Sequence, residues 1–305
     1  MSDQPSTIGF VGLGTMGTPM CRRLAGAGYR VHAFDLVPER VETVVEAGAV
    51  AESSAAAAAA VADLFLTSLP RPHHVEAVMR GSALAALRPG SLWVDLSTNR
   101  KGLVQALASE APAGVGVVDA PVTGAVDGAR NGRLTVFAGG DPNDVSRARP
   151  VLERLGSVID CGPLGTGNVV KLVTNQLWFI HAAALGEGFA VGRQHGVDLA
   201  VLWDAMKQSV ADSFVVRHDA PSIFAGHYDP SFSLDLCLKD LELVSELAAS
   251  VQAGLPMTDA AHGAFAAAAE RYGTDAGELH VTRRIEDDAG LSFQMAGDWT
   301  PPWEQ

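Results

Sequence analysis

The chain has 305 residues, of which 48% are hydrophobic and 19% charged, a globular composition that allows one large or two ordinary domains. Its formal net charge is −13 and it has no lysine- and arginine-rich run, which argues against nucleic acid or a membrane surface as a partner. The three cysteines are far apart, so they suit a reducing cytoplasm and form no disulfide framework or zinc spacing. Because there is no leader-like segment and no uncharged apolar stretch of membrane-spanning length, we expect a cytoplasmic protein.

The first 35 residues carry a dinucleotide-binding pattern. A β-branched and aromatic run at residues 7–11 predicts a strand, and G-x-G-x-x-G follows it at once, at residues 12–17. A helix and a second strand are predicted next, the strand over residues 30–34 with Asp35 at its end. The glycines alone would be a weak signal, but strand, glycine loop, helix, second strand and acid in this order make the full fingerprint.

Each part of this fingerprint has a physical role in holding a dinucleotide. Gly12 permits the tight turn, Gly14 lets the backbone approach the pyrophosphate, and Gly17 lets helix and strand pack closely. The start of the helix, predicted over residues 16–26, offers free N–H groups and the positive end of its dipole to the phosphates. The alternative is a glycine turn in an ordinary βαβ unit. The cofactor-binding residues predicted in this loop are Gly12, Leu13, Gly14, Met16 and Gly17.

Asp35 indicates which dinucleotide is used. A carboxylate at this position accepts hydrogen bonds from the ribose 2′-hydroxyl and repels a 2′-phosphate, so NAD is expected and NADP is less favoured. The nearest downstream cation is Arg40, on a helix begun by Pro38, which gives little support to NADP while Asp35 is present. The alternative role of Asp35 is a helix-capping or turn residue.

Further strands alternate with helices up to about residue 163. An alanine run at residues 55–60, capped by Ser53 or Ser54, predicts a surface helix. In an open parallel sheet, ligands bind beyond the carboxyl ends of the strands, so the polar or turn-forming segments after the first three of these strands fall on the ligand side. The strands are predicted at residues 63–68, 92–96, 115–118, 134–138 and 157–160.

After residue 163 the pattern predicts helices alone, with breaks at Gly196 and at residues 226–230 and 254–256. We therefore expect an α/β, Rossmann-type domain with a doubly wound, mainly parallel sheet over residues 1–163. An all-helical domain is expected over residues 164–305. A tryptophan-rich tail, residues 299–303, is predicted to pack on the body or on another subunit.

The first helix of the helical domain carries the candidate catalytic residues. It is predicted to run from about residue 165 to His195. Asn168, Lys171 and Asn175 lie at i, i+3 and i+7, so they share one otherwise apolar face. A lysine between two amides can bind an anion or donate a proton, whereas the alternative is a snorkelling lysine at a helix start. The domain boundary leads us to expect Lys171 to face a cleft between the domains.

These motifs resemble those of the β-hydroxyacid dehydrogenase family, of which 3-hydroxyisobutyrate dehydrogenase is typical and to which 6-phosphogluconate dehydrogenase is related. The resemblance covers most of the chain, with the motifs in family order. They are G-F-V-G-L-G-T-M-G-T-P-M at residues 9–20, D-A-P-V-T-G at 119–124 with G-R-L-T at 132–135, G-x-G-x-x-x-K-x-x-x-N at 165–175, and L-K-D-L at 238–241.

The resemblance implies an NAD(P)-dependent enzyme that transfers a hydride between the cofactor and a small 3-hydroxy acid or semialdehyde bearing an anionic group. It implies that Lys171 is the general acid/base and that Asn175 holds the substrate and orients Lys171. Thr123 and Gly124 would bind the substrate anion through a hydroxyl and a backbone N–H. The residues that the resemblance places along the cofactor are Leu69, Pro70, His74, Thr98 and Lys239.

Several positions depart from the family pattern. His74, next to His73, stands where the family often has a cofactor-contacting asparagine, and residues 99–101 replace an apolar residue followed by proline. Thr123 stands where serine is usual, and Ala125 stands where a further glycine is common. The methyl group of Thr123 narrows that corner of the pocket, so these departures bear on the choice of substrate more than on the chemistry.

Other functions fit the residues less well. The nine histidines form no H-x-x-x-H or H-x-H cluster, so no metal site is expected, and no G-x-S-x-G or Cys–His signature supports acyl transfer. The open alternatives are an imine- or keto-acid-reducing relative and a catalytically inactive dinucleotide-binding interaction module. The lysine at position 171 disfavours the imine-reducing and the inactive alternatives, because such relatives replace or lack it.

The long first helix of the helical domain also bears on assembly. It is apolar around most of its circumference, so it must be buried on several sides, and residues 182–186 offer small side chains for close helix approach. We therefore expect a homodimer or homotetramer formed through the helical domain, as the resemblance also implies.

Overall fold

The computed structural model describes residues 7–299, and the chain divides into two compact units, Met1–Lys171 and Leu172–Gln305. This division falls later than the predicted domain boundary after residue 163, which stays a prediction. Lys171 is thus the last residue of the first unit rather than part of the second.

Within the described residues, the first unit contains one sheet of nine strands. Its order is β3-β2-β1-β4-β5-β6-β8-β7, with β9 also paired to β8, and all pairs are parallel except β6–β8 and β7–β8. The first six strands have the order of doubly wound dinucleotide-binding folds, which confirms the predicted class. The strands are β1 (Thr7–Val11), β2 (Arg30–Phe34), β3 (Val50–Ala51), β4 (Leu64–Thr67), β5 (Leu92–Asp95), β6 (Gly116–Asp119), β7 (Val122–Thr123), β8 (Leu134–Gly140) and β9 (Gly156–Gly162).

All seven strands predicted from the sequence are present, with ends shifted by at most two residues. The two-residue strands β3 and β7 were not predicted, because two residues are too few to show alternation. The helices between the strands are α1 (Gly17–Gly26), α2 (Pro38–Val45), α3 (Ala55–Val61), α4 (Pro72–Val78), α5 (Leu84–Ala86), α6 (Lys101–Glu110), α7 (Ala125–Asn131) and α8 (Pro142–Leu152), with a π-helical segment, Met79–Ala83, between α4 and α5.

Alternate side chains of the central strands enter two separate cores on the two faces of the sheet. Leu64 and Leu66 of β4 lie in one core, whereas Phe65 between them lies in the other. Leu92 and Val94 of β5 follow the same rule. Because both faces are covered, these strands are apolar throughout, as expected for a parallel sheet.

Helix α3 corrects the expectation of a surface helix. Ser54 caps it as predicted, with the Ser54 hydroxyl accepting the Ala57 N–H at 3.1 Å. Ala58 and Ala59, however, are fully buried, and a Cβ on Gly9 of β1 would lie 2.6 Å from the Ala58 carbonyl oxygen. The alanines are therefore small because the helix packs directly on the sheet.

The second unit is helical, and an isolated bridge between Ser233 and Gly277 is the only β pairing among its described residues. Its core is rich in phenylalanine, with the rings of Phe179 and Phe265 packed edge to face at 5.4 Å. No helix within residues 7–299 combines the length and apolarity needed to cross a bilayer. The helices are α9 (Thr166–Gln194), which begins in the first unit, α10 (Leu199–Lys207), α11 (Ala220–Ala225), α12 (Leu234–Ala249), α13 (Pro256–Tyr272) and α14 (His280–Asp288), with a π-helical segment, Val215–Asp219, before α11.

Two expectations about packing are answered within the second unit. The small residues of α9 face α14 of the same chain: a Cβ on Gly186 would meet Thr282 at 3.1 Å, and the Thr282 hydroxyl donates to the Ala182 carbonyl at 3.1 Å. Trp299 packs edge to face on Trp203 at 5.5 Å, while the rest of the predicted tail lies outside the described residues.

Candidate cofactor and substrate site

The glycine loop after β1 has the geometry that a dinucleotide needs. Gly12 has a φ of +95°, and a Cβ there would lie 2.2 Å from the Ser68 carbonyl oxygen at the end of β4. A Cβ on Gly17 would lie 1.9 Å from the Gly12 carbonyl oxygen, so this glycine permits the helix to start against the turn. Around Gly14, in contrast, a Cβ would meet nothing within 4 Å. The open space above Gly14 at the start of α1 fits a pyrophosphate.

Asp35 holds this loop as well as marking the end of β2. Its carboxylate accepts the Leu13 N–H at 2.6 Å through Oδ2 and the Val37 N–H at 2.9 Å through Oδ1. Arg40 lies 3.5 Å away from Oδ1. Asp35 therefore has the turn role that was its alternative, while its contact with a ribose stays a prediction that these bonds leave open, because each carboxylate oxygen can accept more than one hydrogen bond.

A cavity of about 1010 Å³ adjoins the loop, and arginines dominate its polar lining. Leu13, Gly14 and Thr15 of the glycine loop also line it. In a chain with a formal net charge of −13, such a concentration of positive charge favours an anionic ligand. The arginines that line the cavity are Arg22, Arg23, Arg40, Arg130 and Arg154.

The loops after β4 and β5 meet beside the glycine loop. The Leu69 N–H donates to the Ser97 hydroxyl at 2.9 Å, and a Cβ on Gly12 would lie 2.9 Å from the Leu69 side chain. Thr98 follows Ser97 and is half-buried. His74 lies exposed on α4, and its pKa is lowered by partial burial and by the charges of His73 and Arg71.

Thr123 and Gly124 lie where the chain leaves β7 and enters α7. Thr123 pairs with Thr135 of β8 and is half-buried, and Gly124 has a φ of +123°. Ala125 has a φ of +57°, in the left-handed region that costs a residue with a Cβ about 1–2 kcal/mol. The alanine that departs from the family pattern therefore occupies a backbone conformation that suits glycine.

The N-terminus of α9 is capped by a buried carboxylate. Asp119, at the end of β6, accepts the Gly165 N–H at 2.6 Å through Oδ1. Its Oδ2 accepts the backbone N–H and the side-chain amide of Asn168 at 2.7 and 3.1 Å. Burial raises the pKa of Asp119 to about 6, although these three donors oppose the shift.

A second buried carboxylate extends this network into the sheet. Asp95, at the end of β5, accepts hydrogen bonds from the Thr67 hydroxyl and the Asn99 side-chain amide, both at 2.9 Å. The Asn99 backbone N–H in turn donates to the Asn168 side-chain oxygen at 2.6 Å. Burial raises the pKa of Asp95, against the effect of the donors around it.

The candidate catalytic lysine follows one turn after this cap. Lys171 is buried, with 8% of its surface exposed, and Asn175 lies one further turn along α9. The predicted arrangement of Asn168, Lys171 and Asn175 on one helix is therefore observed, and all three side chains are buried.

The second unit holds the other candidate residues, Asn175 and Lys239. The Asn175 side-chain amide donates to Asp240 Oδ2 at 2.6 Å, and the Lys239 ammonium lies 2.7 Å from Asp240 Oδ1. Asp240 is buried and was not among the predicted site residues. Its signal was the acid directly after Lys239 in the L-K-D-L motif.

Asp119 and Asn99 were also missed as members of the site. Asp119 lies within the recognised D-A-P-V-T-G motif, but nothing in its sequence position indicates that it caps a helix 46 residues later. Within residues 7–299, no group of three or more histidine, cysteine, aspartate or glutamate side chains is arranged to hold a metal ion.

The sheet order, the glycine loop and the acid at the end of β2 define an NAD(P)-binding oxidoreductase fold. Two family models match the chain. The NAD-binding domain of 6-phosphogluconate dehydrogenase matches residues 7–165, and the NAD-binding domain of NADP-dependent 3-hydroxyisobutyrate dehydrogenase matches residues 165–285.

Individual proteins are similar over nearly the whole chain. A 3-hydroxyisobutyrate dehydrogenase of Pseudomonas aeruginosa is 36% identical, covering 92% of this chain and 99% of its own. An L-threonate dehydrogenase of Cupriavidus necator is 35% identical, covering 85% and 89%. A solved structure of Mycobacterium tuberculosis 3-hydroxyisobutyrate dehydrogenase with L-serine superposes with a TM-score of 0.85 at 31% identity, covering 92% and 99%.

The chain therefore belongs to the β-hydroxyacid dehydrogenase family. It is an NAD(P)-dependent dehydrogenase acting on a CH–OH group, which confirms the predicted enzyme class.

Proposed function

We propose that this enzyme oxidises the hydroxyl group of a small 3-hydroxy acid, or reduces the matching semialdehyde, with NAD as the favoured cofactor and Lys171 as general acid/base. The observation that carries the proposal is the buried lysine one turn after the capped start of α9. The substrates in the names of the relatives, 3-hydroxyisobutyrate, L-threonate and, in an NAD-dependent L-serine dehydrogenase, L-serine, all carry a carboxylate and a hydroxyl on carbon 3.

In this proposal each residue has a distinct task. A nicotinamide held along the glycine loop would supply the hydride acceptor for the substrate carbon. Lys171 takes the proton that leaves the hydroxyl oxygen, and returns it in the reverse reaction. Thr123 and Gly124 hold the substrate carboxylate through a hydroxyl and a backbone N–H. Asn175, held by Asp240 at 2.6 Å, orients the reacting group. Along the cofactor we propose Leu69, Pro70, His74, Thr98 and Lys239, together with the glycine loop.

Turnover of 3-hydroxyisobutyrate, L-serine and L-threonate, and of the aldehydes or ketones that their oxidation gives, tests the reaction. With the best substrate, Lys171→Ala should lower kcat by about 10²–10⁴-fold and leave NADH affinity near that of wild type, since positioned proton transfer contributes about that much. Lys171→Arg should recover little, because arginine keeps its proton at any working pH. Lys207→Ala is the matched control, because this lysine lies over the Trp203 ring and has no proposed catalytic role.

Two results would end the lysine assignment. A Lys171→Ala enzyme with normal kcat would show that another group manages the proton. If Lys171→Arg keeps most of kcat and the alanine variant loses only in KM, then Lys171 is an anion anchor. Absence of turnover with intact NADH binding would favour the inactive interaction module instead.

The preference for NAD rests on the negative charge of Asp35. Arg40, the nearest downstream cation, is the residue that could bind the 2′-phosphate of NADP. Asp35→Asn keeps an oxygen for the Leu13 N–H but removes the charge that repels a 2′-phosphate. The ratio of kcat/KM for NAD to that for NADP should favour NAD in wild type and fall by about tenfold or more in this variant, which corresponds to about 1.4 kcal/mol. Glu39→Gln, an exposed acid on α2, should leave the ratio unchanged. A wild-type preference for NADP would overturn this part of the proposal.

We also propose self-association through the second unit. An apolar stripe of α9 is exposed in the single chain, with Val173, Leu177 and Val191 at 44%, 50% and 59% exposure. Leu177 and Val191 lie four and eighteen residues after Val173, which places all three on one face of the helix. Sedimentation should give a dimer or tetramer for wild type and a smaller species for Leu177→Lys. Val210→Lys, at a fully exposed position, is the control, and a folded wild-type monomer at micromolar concentration would contradict the proposal.

A further inference from the structure

The start of α9 is tied to the ends of two strands through one asparagine. The Asn168 side chain uses both of its polar atoms: its amide donates to Asp119 at 3.1 Å, and its oxygen accepts the Asn99 N–H at 2.6 Å. Its backbone N–H also donates to Asp119, at 2.7 Å. Asn168 is fully buried and lies one helical turn before Lys171.

The helix and the sheet approach closely enough for this arrangement because glycines lie between them. A Cβ on Gly167 would lie 2.2 Å from the Phe137 carbonyl oxygen of β8. A Cβ on Gly139 would lie 2.5 Å from the Asp119 carboxylate and 2.8 Å from the Gly167 nitrogen. Side chains at either position would hold the helix away from the sheet, so the backbone is shaped to bring Asp119 within reach of the helix N-terminus.

We propose that Asn168 and Asp119 are positioning residues for Lys171, an inference that rests on the proposed role of Lys171 as general acid/base. The first four N–H groups of a helix have no intrahelical partner, so a first turn without capping groups frays. Here the capping bonds also orient the first turn of α9. Asn99 is adjacent to Thr98 in the proposed cofactor loop, so its bond to Asn168 sets the turn before Lys171 against that loop.

The anchoring continues into the sheet through a residue that departs from the family pattern. The Asn99 side chain donates to Asp95 at 2.9 Å, and Asp95 accepts the Thr67 hydroxyl of β4. Thr67 in turn accepts the Trp93 indole N–H at 3.0 Å. Every residue of this path is buried. The hydrogen bonds therefore hold the turn before Lys171 in place against three adjacent strands, β4, β5 and β6.

The first test compares Asn168→Ala with Thr166→Ala. Both variants lose a side-chain hydrogen bond in the first turn of α9, but the Thr166 hydroxyl donates to the Pro163 carbonyl and lies outside the network. Asn168→Ala should lower kcat by about 10–100-fold, because a displacement of about 1 Å at a reacting group costs about that much. Its NADH affinity should stay near that of wild type, and the pH profile of kcat should move. Thr166→Ala should change none of these.

Conservative variants separate the two links of Asn168. Asn168→Asp keeps an acceptor for the Asn99 N–H but replaces the donor to Asp119 with a second buried carboxyl group, so kcat should fall at least as far as in Asn168→Ala. Asn99→Ala removes the link to Asp95 and keeps the backbone N–H for Asn168, so its loss of kcat should be the smallest of the three. A kcat equal to that of wild type in all three variants would overturn the positioning role.

A readout that needs no substrate keeps the two proposals apart. The rate at which acetic anhydride acylates Lys171, followed by peptide mass spectrometry across pH, reports the surroundings of its amine. The profile should shift in Asn168→Ala and stay unchanged in Thr166→Ala. If Lys171→Ala abolishes turnover but neither kcat nor this profile changes in Asn168→Ala, positioning fails and the proposed function stands. If Lys171→Ala turns over normally, the proposed function fails first.

Discussion

Both units of the chain bury carboxylates, and the surroundings of these groups differ. In the first unit, Asp95 and Asp119 each accept three or more hydrogen bonds from backbone and side-chain donors. In the second unit, Glu278 is fully buried, and among the described residues neither of its carboxylate oxygens has a hydrogen-bond donor. Its neighbours are other acids, Asp229 and Asp219, which are themselves buried.

These surroundings suit the two groups of acids to different roles. Several donors stabilise the ionised form of Asp119 against the effect of burial, so its carboxylate can cap and orient α9. Around Glu278, burial comes first and the charges of Asp229 and Asp219 add to it, so that the pKa of Glu278 is raised well above its usual value. Asp95 and Asp119 therefore organise the start of α9 beside the proposed site, whereas Glu278, Asp229 and Asp219 form a group of acids within the helical core whose stability depends on pH.

The largest effect is expected from breaking the first group of acids. Asp119→Ala leaves the Gly165 N–H, the Asn168 N–H and the Asn168 amide buried without their acceptor. Each unsatisfied donor costs about 1–3 kcal/mol, so the free energy of unfolding should fall by about 3 kcal/mol or more. Urea unfolding measures the loss of stability, and amide hydrogen exchange shows whether α9 opens more readily. Asp160→Ala, at an exposed acid of β9, is the control, and a loss as small as that of the control would contradict the capping role.

The pH dependence of the same group has a definite sign. The pKa of Asp119 rises from 3.8 to about 6 on folding, chiefly through burial, so its contribution to stability is complete below pH 3.8 and is lost as the pH rises through about 6. Relative to Asp119→Asn, the wild-type protein should lose about 3 kcal/mol between pH 3.8 and 6. Chemical denaturation across this range measures the difference, and a constant offset would show that the carboxyl keeps its ordinary pKa.

Glu278→Gln should change stability in the opposite direction to Asp119→Ala. The raised pKa of Glu278 means that wild-type stability declines as the pH rises above 4.5, whereas the neutral amide is insensitive to pH. The variant should therefore gain on wild type between pH 5 and pH 8, reaching about 1–3 kcal/mol, because the carboxylate of Glu278, once ionised, is buried without a hydrogen-bond donor. Exposed Glu242→Gln is the matched control. A gain that is equal at both pH values would contradict the raised pKa of Glu278.

The smallest effect concerns the strained backbone in the first unit. Ala125→Gly should raise the free energy of unfolding by about 0.5–1 kcal/mol, because φ at this position is +57° and glycine adopts that conformation freely. Ala129→Gly, in the interior of the same helix, should have the opposite sign. Thermal unfolding of the two variants gives the comparison, and a destabilised Ala125→Gly would show that the Ala125 methyl group makes a contact worth more than the strain.

The glycine loop and the strands of the first unit were predictable because their signals are local. The spacing of residues within 7–35 predicts the strand, the turn and the acid. The spacing of apolar residues predicts the long helix α9. The short strands β3 and β7, and the burial of one face of α3, were not predictable in this way. They exist because neighbouring strands and the sheet surface stabilise them.

The family, the cofactor-binding loop and the candidate lysine could be predicted from the sequence, since their motifs consist of residues a few positions apart. The partners of the buried polar groups, in contrast, depend on tertiary contacts. Asp119 meets Asn168 across 49 positions, and Asn99 meets Asn168 across 69. Glu278 gives no sign in the sequence that it will be buried beside Asp229. Such pairings depend on which strand ends and helices fold against one another, and the free energy of burying a charge is set by that environment rather than by the residue itself.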